Sequence, residues 1–218
     1  MEKLSRFEEI EFQIDDHTLL KGRLRHSDDA KGLVIFSHGS GSSRLSTRNN
    51  YVADLLKEAD FSSLLFDLLT EKEDQVYANR FNIDLLSERL VKITHLVLKH
   101  EELKDFPIGY FGASTGAASA FQAAEKLGDI ISAVVSRGGR PDLVLKILKK
   151  VKCPSLLIVG GLDHDVVSLN KLAYAELGGE KQMEIIFGAT HLFSEPGKLD
   201  EVARVTISWF TKHLIPKK

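Results

Sequence analysis

Gly112-Ala113-Ser114-Thr115-Gly116 sets a serine between two glycines where an apolar run, Pro107-Ile108-Gly109-Tyr110-Phe111, gives way to small residues, Ala117-Ala118-Ser119-Ala120. A G-x-S-x-G pattern at a strand-to-helix turn holds its serine in a strained backbone conformation with the hydroxyl clear of the sheet. The crowding two residues before and after leaves room for little but glycine. A hydroxyl presented in this way needs help to do acyl chemistry. It needs a base, normally a histidine held in one tautomer by a carboxylate, and donors for the oxyanion of a tetrahedral intermediate.

Each helper has a candidate just beyond an apolar run. Gly188-Ala189-Thr190-His191 offers a histidine, Gly160-Gly161-Leu162-Asp163 a carboxylate, and Ser37-His38-Gly39-Ser40-Gly41-Ser42-Ser43 a glycine-rich loop. Ser114, Asp163 and His191 are thus predicted as nucleophile, orienting acid and base. The backbone N–H groups of Ser40 and Thr115 are predicted as oxyanion donors. Asp163 and Asp165 flank His164, and either could orient the histidine. Asp163 is favoured because it comes earlier on the loop, and Asp165 is expected to cap the helix that follows. A metal reading of Asp163-His164-Asp165 lacks its remaining ligands, since no H-x-x-x-H or cysteine cluster completes one. A phosphate-cradle reading of the His38 loop lacks the Walker lysine. No metal and no cofactor is expected.

These residues need a scaffold, and the chain's periodicity supplies one. Ile10 to Ile14 and Thr18 to Leu24 alternate about Asp15-Asp16-His17 and predict a β-hairpin. Leu33 to Phe36, Leu64 to Phe66, Ile108 to Phe111, Ala133 to Val135, Leu156 to Val159 and Met183 to Phe187 are continuous apolar runs, as strands covered on both faces require. Helical patterns lie between and after them: Tyr51 to Ala59, Ile83 to His100, Thr115 to Leu127, Asp142 to Val151, Leu169 to Leu177, and a closing helix from about Lys198. The alternation predicts an α/β fold, a mostly parallel doubly wound sheet led by an antiparallel hairpin, in one domain over residues 1–218. In such sheets the site lies at the carboxyl ends of the strands, where the candidate groups cluster.

The bulk properties narrow the partners. A formal charge of −2 with 28% charged residues gives no basic excess for nucleic acid, and Pro216-Lys217-Lys218 is too short for a basic tail. No apolar run approaches membrane-spanning length, and Met1 to Glu9 lacks the apolar core of a leader, so a cytoplasmic protein without membrane contact is expected. The single cysteine, Cys153, is expected to be a buried structural thiol. Oligomeric state is not legible.

Phe36-Ser37-His38-Gly39-Ser40-Gly41-Ser42-Ser43-Arg44, Gly109-Tyr110-Phe111-Gly112-Ala113-Ser114-Thr115-Gly116 and Gly188-Ala189-Thr190-His191-Leu192-Phe193 together resemble the dienelactone hydrolase-related branch of the α/β-hydrolase superfamily. Similar domains occur alone or joined to a phosphoribosyltransferase domain. The resemblance runs from the glycine-rich loop to the final helix and implies Ser114, Asp163 and His191 as the triad, in the superfamily's chain order. Dienelactone hydrolases proper carry a cysteine nucleophile. The serine here implies ordinary ester or thioester hydrolysis.

The connection Val135-Ser136-Arg137-Gly138-Gly139-Arg140-Pro141 leaves no room for a cap domain, and the polar stretch from Thr70 to Asn82 reads as a mobile, solvated loop. The expected activity is hydrolysis of a small-molecule ester with a small or exposed acyl group, through an acyl-enzyme. The alternatives are acyl transfer to another acceptor and a non-catalytic ligand-binding protein of the same fold. Arg137 and Arg140, directly after a strand, are candidates for gripping an anionic group of the substrate.

Overall fold

The computed structural model describes residues 7–215. Met1 to Arg6, the start of the stretch read for a leader, and Pro216-Lys217-Lys218 lie outside the described residues. β1 (Glu8–Asp15) and β2 (Thr18–Arg25) form the predicted antiparallel hairpin, with an irregularity between Gln13 and Asp15 just before the last pair, Asp15 with Thr18. β2 then pairs antiparallel with β4 (Ser62–Phe66). The remaining strands are β3 (Leu33–Ser37), β5 (Ile108–Ala113), β6 (Ile131–Arg137), β7 (Ser155–Gly160) and β8 (Lys181–Ile186). β3 through β8 are mutually parallel, and the eight-stranded sheet runs β1-β2-β4-β3-β5-β6-β7-β8. β3, β4, β5 and β7 are buried at every position, which is what their unbroken apolar runs require.

The helices are α1 (Thr47–Glu58), α2 (Glu71–Asp74), α3 (Ile83–Val97), α4 (Thr115–Leu127), α5 (Leu145–Leu148), α6 (His164–Glu176) and α7 (Lys198–His213). Each face of the sheet has its own core. On one, Leu86, Leu90 and Ile93 of α3 and Ala118, Phe121 and Ala124 of α4 pack on Leu33, Ile35 and Tyr110. On the other, Val52 and Leu56 of α1 and Val202, Trp209 and Phe210 of α7 pack on Val34, Phe36, Phe111 and Val135. Among the described residues no separate cap domain stands over the strand ends, and no helix is long and apolar enough to cross a membrane. Cys153 is buried, and loss of water pushes its thiol up to about 12.

Three expectations need correction. The stretch from Thr70 to Asn82 is folded, with α2 followed by a 3₁₀ turn, Tyr77–Phe81. Thr70 Oγ1 accepts the Glu73 N–H at 3.2 Å and Glu73 Oε2 accepts the Thr70 N–H at 2.8 Å, a reciprocal capping box. The charges there pair with one another and with α3: Arg80 with Asp74 at 2.7 Å, Arg89 with Glu73 at 2.7 Å. The helix predicted from Asp142 to Val151 is a 3₁₀ turn, Pro141–Val144, and the short α5, because Val144 leaves helical geometry at φ −128°, ψ 28°. Finally, α6 starts at His164, ahead of the predicted Leu169, so Asp165 sits inside its first turn and not at the cap.

Candidate active site

β5 delivers Ser114 at φ 53°, ψ −124°, a conformation that non-glycine residues adopt only under strain of about 1–3 kcal/mol. The turn is clamped on every side. Ser114 N–H donates to the Arg137 carbonyl at 3.2 Å, and the Ser114 carbonyl accepts from the N–H groups of Ala117 at 3.1 Å and Arg140 at 3.0 Å. A Cβ on Gly112 would come within 2.5 Å of Ala117 Cα, and one on Gly116 would run into the Ser37 carbonyl oxygen. The glycines are there because β3, β5 and α4 meet at this point with no space between them.

The loop after β7 carries Asp163 and the loop after β8 carries His191. They are tied together by the Leu162 N–H donating to the Ala189 carbonyl at 2.9 Å and the Gly161 N–H to that of Ile186 at 2.9 Å. Asp163 Oδ2 and His191 Nδ1 lie 2.7 Å apart. Asp165 is exposed on α6 and makes no such contact. No hydrogen bond joins Ser114 Oγ to His191 among the described residues; in enzymes without bound substrate such bonds are often long and tighten on binding. A second acid braces the histidine loop: Glu195 accepts from the Thr190 hydroxyl at 2.6 Å and the Thr190 N–H at 3.2 Å. The bond from the Thr190 hydroxyl contributes most to holding the Glu195 carboxyl below its usual range. Phe193, buried and at φ 54°, is a further strained residue on this loop.

The glycine-rich loop lies against the nucleophile, with Gly39 so close to Ser114 that a Cβ there would sit 3.0 Å from the serine Cβ. His38 fixes the loop. Its Nε2 accepts the Leu68 N–H at 3.0 Å and its Nδ1 faces the Gly39 carbonyl at 3.0 Å, which assigns the proton to Nδ1 in a neutral ring. Burial lowers the pKa of this imidazole, in keeping with that state. The Ser40 N–H donates to Thr115 Oγ1 at 2.8 Å, so the donor predicted for the oxyanion is engaged by the side chain next to the nucleophile. Sequence reasoning missed this bridge. The Thr115 N–H, at the first position of α4, has no acceptor within the helix.

The two candidate arginines differ. Arg140 turns back on its own loop and forms a bidentate pair with Asp142 at 2.8 and 2.9 Å, which satisfies its fork locally. Arg137, the last residue of β6, does not reach solvent but turns under the site toward α1, where its Nη2 donates to Asn49 Oδ1 at 3.0 Å.

A scan against protein-family models finds no match. Among solved structures, the dienelactone hydrolase of Anabaena variabilis ATCC 29413 is 43% identical, covers 96% of this chain and 98% of its own, and superposes with a TM-score of 0.92. Est1E of Butyrivibrio proteoclasticus, at 15% identity, and a Pyrococcus furiosus esterase, at 16%, share the fold. Their TM-scores are 0.80 and 0.75, with 94% and 96% of this chain and 98% and 92% of theirs covered. Curated proteins from two strains of Mycobacterium tuberculosis, CDC 1551 and H37Rv, each named "Putative phosphoribosyl transferase", are 49% identical over 193 residues. That match covers 88% of this chain but only 44% of theirs, so the chain spans less than half the length of these relatives. With 43% identity over nearly the full length of both chains, the protein belongs to the dienelactone hydrolase-like branch of the α/β-hydrolase family.

Proposed function

We propose that the protein is a serine hydrolase that cleaves a carboxylic ester or thioester through an acyl-enzyme. The observation that carries this reading is a serine strained out of its sheet with the 2.7 Å Asp163–His191 pair on strand-end loops of the same sheet. In the proposed mechanism Asp163 holds the proton on His191 Nδ1, leaving Nε2 to take the proton of Ser114 as Oγ attacks the acyl carbon. The carbonyl oxygen becomes an oxyanion, stabilised by the N–H groups of Thr115 and Ser40. The leaving group departs with the proton from His191, and water then enters by the same route and releases the acid. The Ser40 N–H must exchange the Thr115 hydroxyl for the oxyanion.

The acyl group is proposed to be small or exposed, since no separate cap domain stands over the strand ends among the described residues. The transferase name of the longer relatives is proposed to refer to the part of their chains that this sequence does not cover. The test is a panel of short p-nitrophenyl esters and acyl-thioesters with wild type and Ser114→Ala, together with a fluorophosphonate probe. Wild type should turn over and be labelled, and the variant, still folded, should do neither. Equal labelling of both removes the nucleophile assignment.

A further inference from the structure

Asn170 is a wholly buried polar side chain on α6. Both hydrogens of its Nδ2 go to backbone carbonyls, Gly139 at 2.9 Å and Val166 at 2.8 Å. Its Oδ1 is buried without a partner. An orphaned acceptor is costly, and a leucine of similar size would avoid it, so helix packing alone does not call for an amide here. The Gly139 carbonyl does. It lies in a buried part of the loop after β6 and receives no other hydrogen bond among the described residues.

The two carbonyls belong to different parts of the site. Val166 stands in the first turn of α6, whose N-cap is Asp163, and the Val167 N–H donates to the Asp163 carbonyl at 2.9 Å. Gly139 lies between two residues that hold the nucleophile. The Arg137 carbonyl accepts the Ser114 N–H at 3.2 Å, and the Arg140 N–H donates to the Ser114 carbonyl at 3.0 Å. The same loop abuts the base: a Cβ on Gly138, at φ 52°, would sit 3.5 Å from His191 Cε1 and 3.2 Å from the His191 carbonyl oxygen. A Cβ on Gly139 would come within 2.6 Å of Ala117 Cβ, so the loop is pressed equally hard on the start of α4. Ser114 and His191 share no hydrogen bond among the described residues, and their separation is set by the loops that carry them.

We propose that Asn170 is a positioning residue that fixes the loop holding Ser114 and abutting His191 to the helix that carries Asp163. It touches none of the three side chains. It acts through the Gly139 carbonyl, and without its donor the loop after β6 moves and takes the nucleophile out of line with the base. The effect on catalysis rests on the hydrolase reading above, whereas the bridge itself rests on the geometry of one amide.

The experiment compares wild type, Asn170→Leu and Asn170→Asp. In the first arm kcat and KM for p-nitrophenyl acetate are measured from about pH 6 to pH 9. Asn170→Leu should lose about ten- to a hundredfold in kcat at every pH, the range expected for a small misplacement of reacting groups, with KM within about twofold of wild type. Asn170→Asp should be as impaired when ionised, since a carboxylate can only accept. Its kcat relative to wild type should rise at least about threefold as pH falls, because burial raises the carboxyl pKa into this range and the protonated acid again has a hydrogen to donate. A residue that only filled space would not follow pH in this way. In the second arm, hydrogen exchange of the Ser114 and Arg140 amides should be at least about tenfold faster in Asn170→Leu, with β5 amides unchanged. If Asn170→Leu does not fold, the pH dependence of Asn170→Asp and its exchange at the two ends of the range take its place. A kcat of Asn170→Leu within twofold of wild type overturns the proposal, as does an Asn170→Asp ratio that is flat with pH. Unaccelerated exchange overturns the bridge whatever the turnover. A wild type that cleaves no ester, with exchange accelerated in the variant, overturns the hydrolase reading and leaves the bridge standing.

Discussion

Replacing Asp163 by Asn tests the acid assignment against the neighbouring Asp165. Asp163 Oδ2 lies 2.7 Å from His191 Nδ1, and its side chain is 17% exposed, so water cannot fully substitute for it. An asparagine keeps the shape but can present its NH₂ to Nδ1. That moves the ring proton to Nε2, the wrong nitrogen for a base. In a serine protease triad the same change costs on the order of 10⁴ in turnover, about 5.5 kcal/mol of barrier. Stability should hardly change, because Asp163 occupies the N-cap position of α6 without making a capping hydrogen bond. Asp165 is the converse case. It is an exposed first-turn acid, and its removal forfeits a helix-dipole interaction of roughly 0.3–1 kcal/mol, or about 1–4 °C in Tm for a chain of this size. Steady-state hydrolysis of p-nitrophenyl acetate and thermal unfolding of both variants are the assays. The reasoning fails if Asp163→Asn keeps more than a tenth of wild-type kcat, or if Asp165→Asn loses more than a hundredfold.

Thr115→Val keeps the volume but deprives the Ser40 N–H of its acceptor. It should lower Tm by about 2–8 °C, reduce kcat roughly tenfold as the donor loop drifts, and be rescued by Thr115→Ser; unchanged kcat and Tm would refute the bridge. Buried His38 has a pKa below its unfolded value of 6.5, so the unfolded chain takes up the proton first as pH falls. Its contribution to stability is present above pH 6.5 and is lost as pH falls below it, so Tm should decline between pH 6.5 and pH 5. His38→Gln should flatten that slope, and an identical slope in both proteins would count against it.

The sheet was legible because β3 to β7 are covered on both faces, leaving apolar runs that no helix pattern imitates. The start of α6 was not, because His164, Asp165 and Ser168 face solvent and show no periodicity before Leu169. Glu71 to Asp74 read as a solvated loop because a run of charges carries no sign of whether it pairs with water or with itself. The capping box Thr70-x-x-Glu73 was nevertheless there to be read. At the site, each candidate's position after a strand was visible, and the period of β6 already places Arg137 on the face of Ala133 and Val135. Its contact with Asn49, from a helix 88 residues earlier, has no local signature.

The strand order also sets a timetable. β2 borders β1 and β4 but not β3, so the hairpin, made before both, finds its place in the sheet only after Phe66 has been added. At about 5–20 residues per second, that interval after Arg25 lasts roughly 2–8 s on the ribosome. Throughout it Phe12, Leu20 and Leu24, all buried in the finished sheet, have no core to enter. The hairpin therefore waits undocked while β3 and β4 are made, and its apolar face is open to wrong partners for that interval.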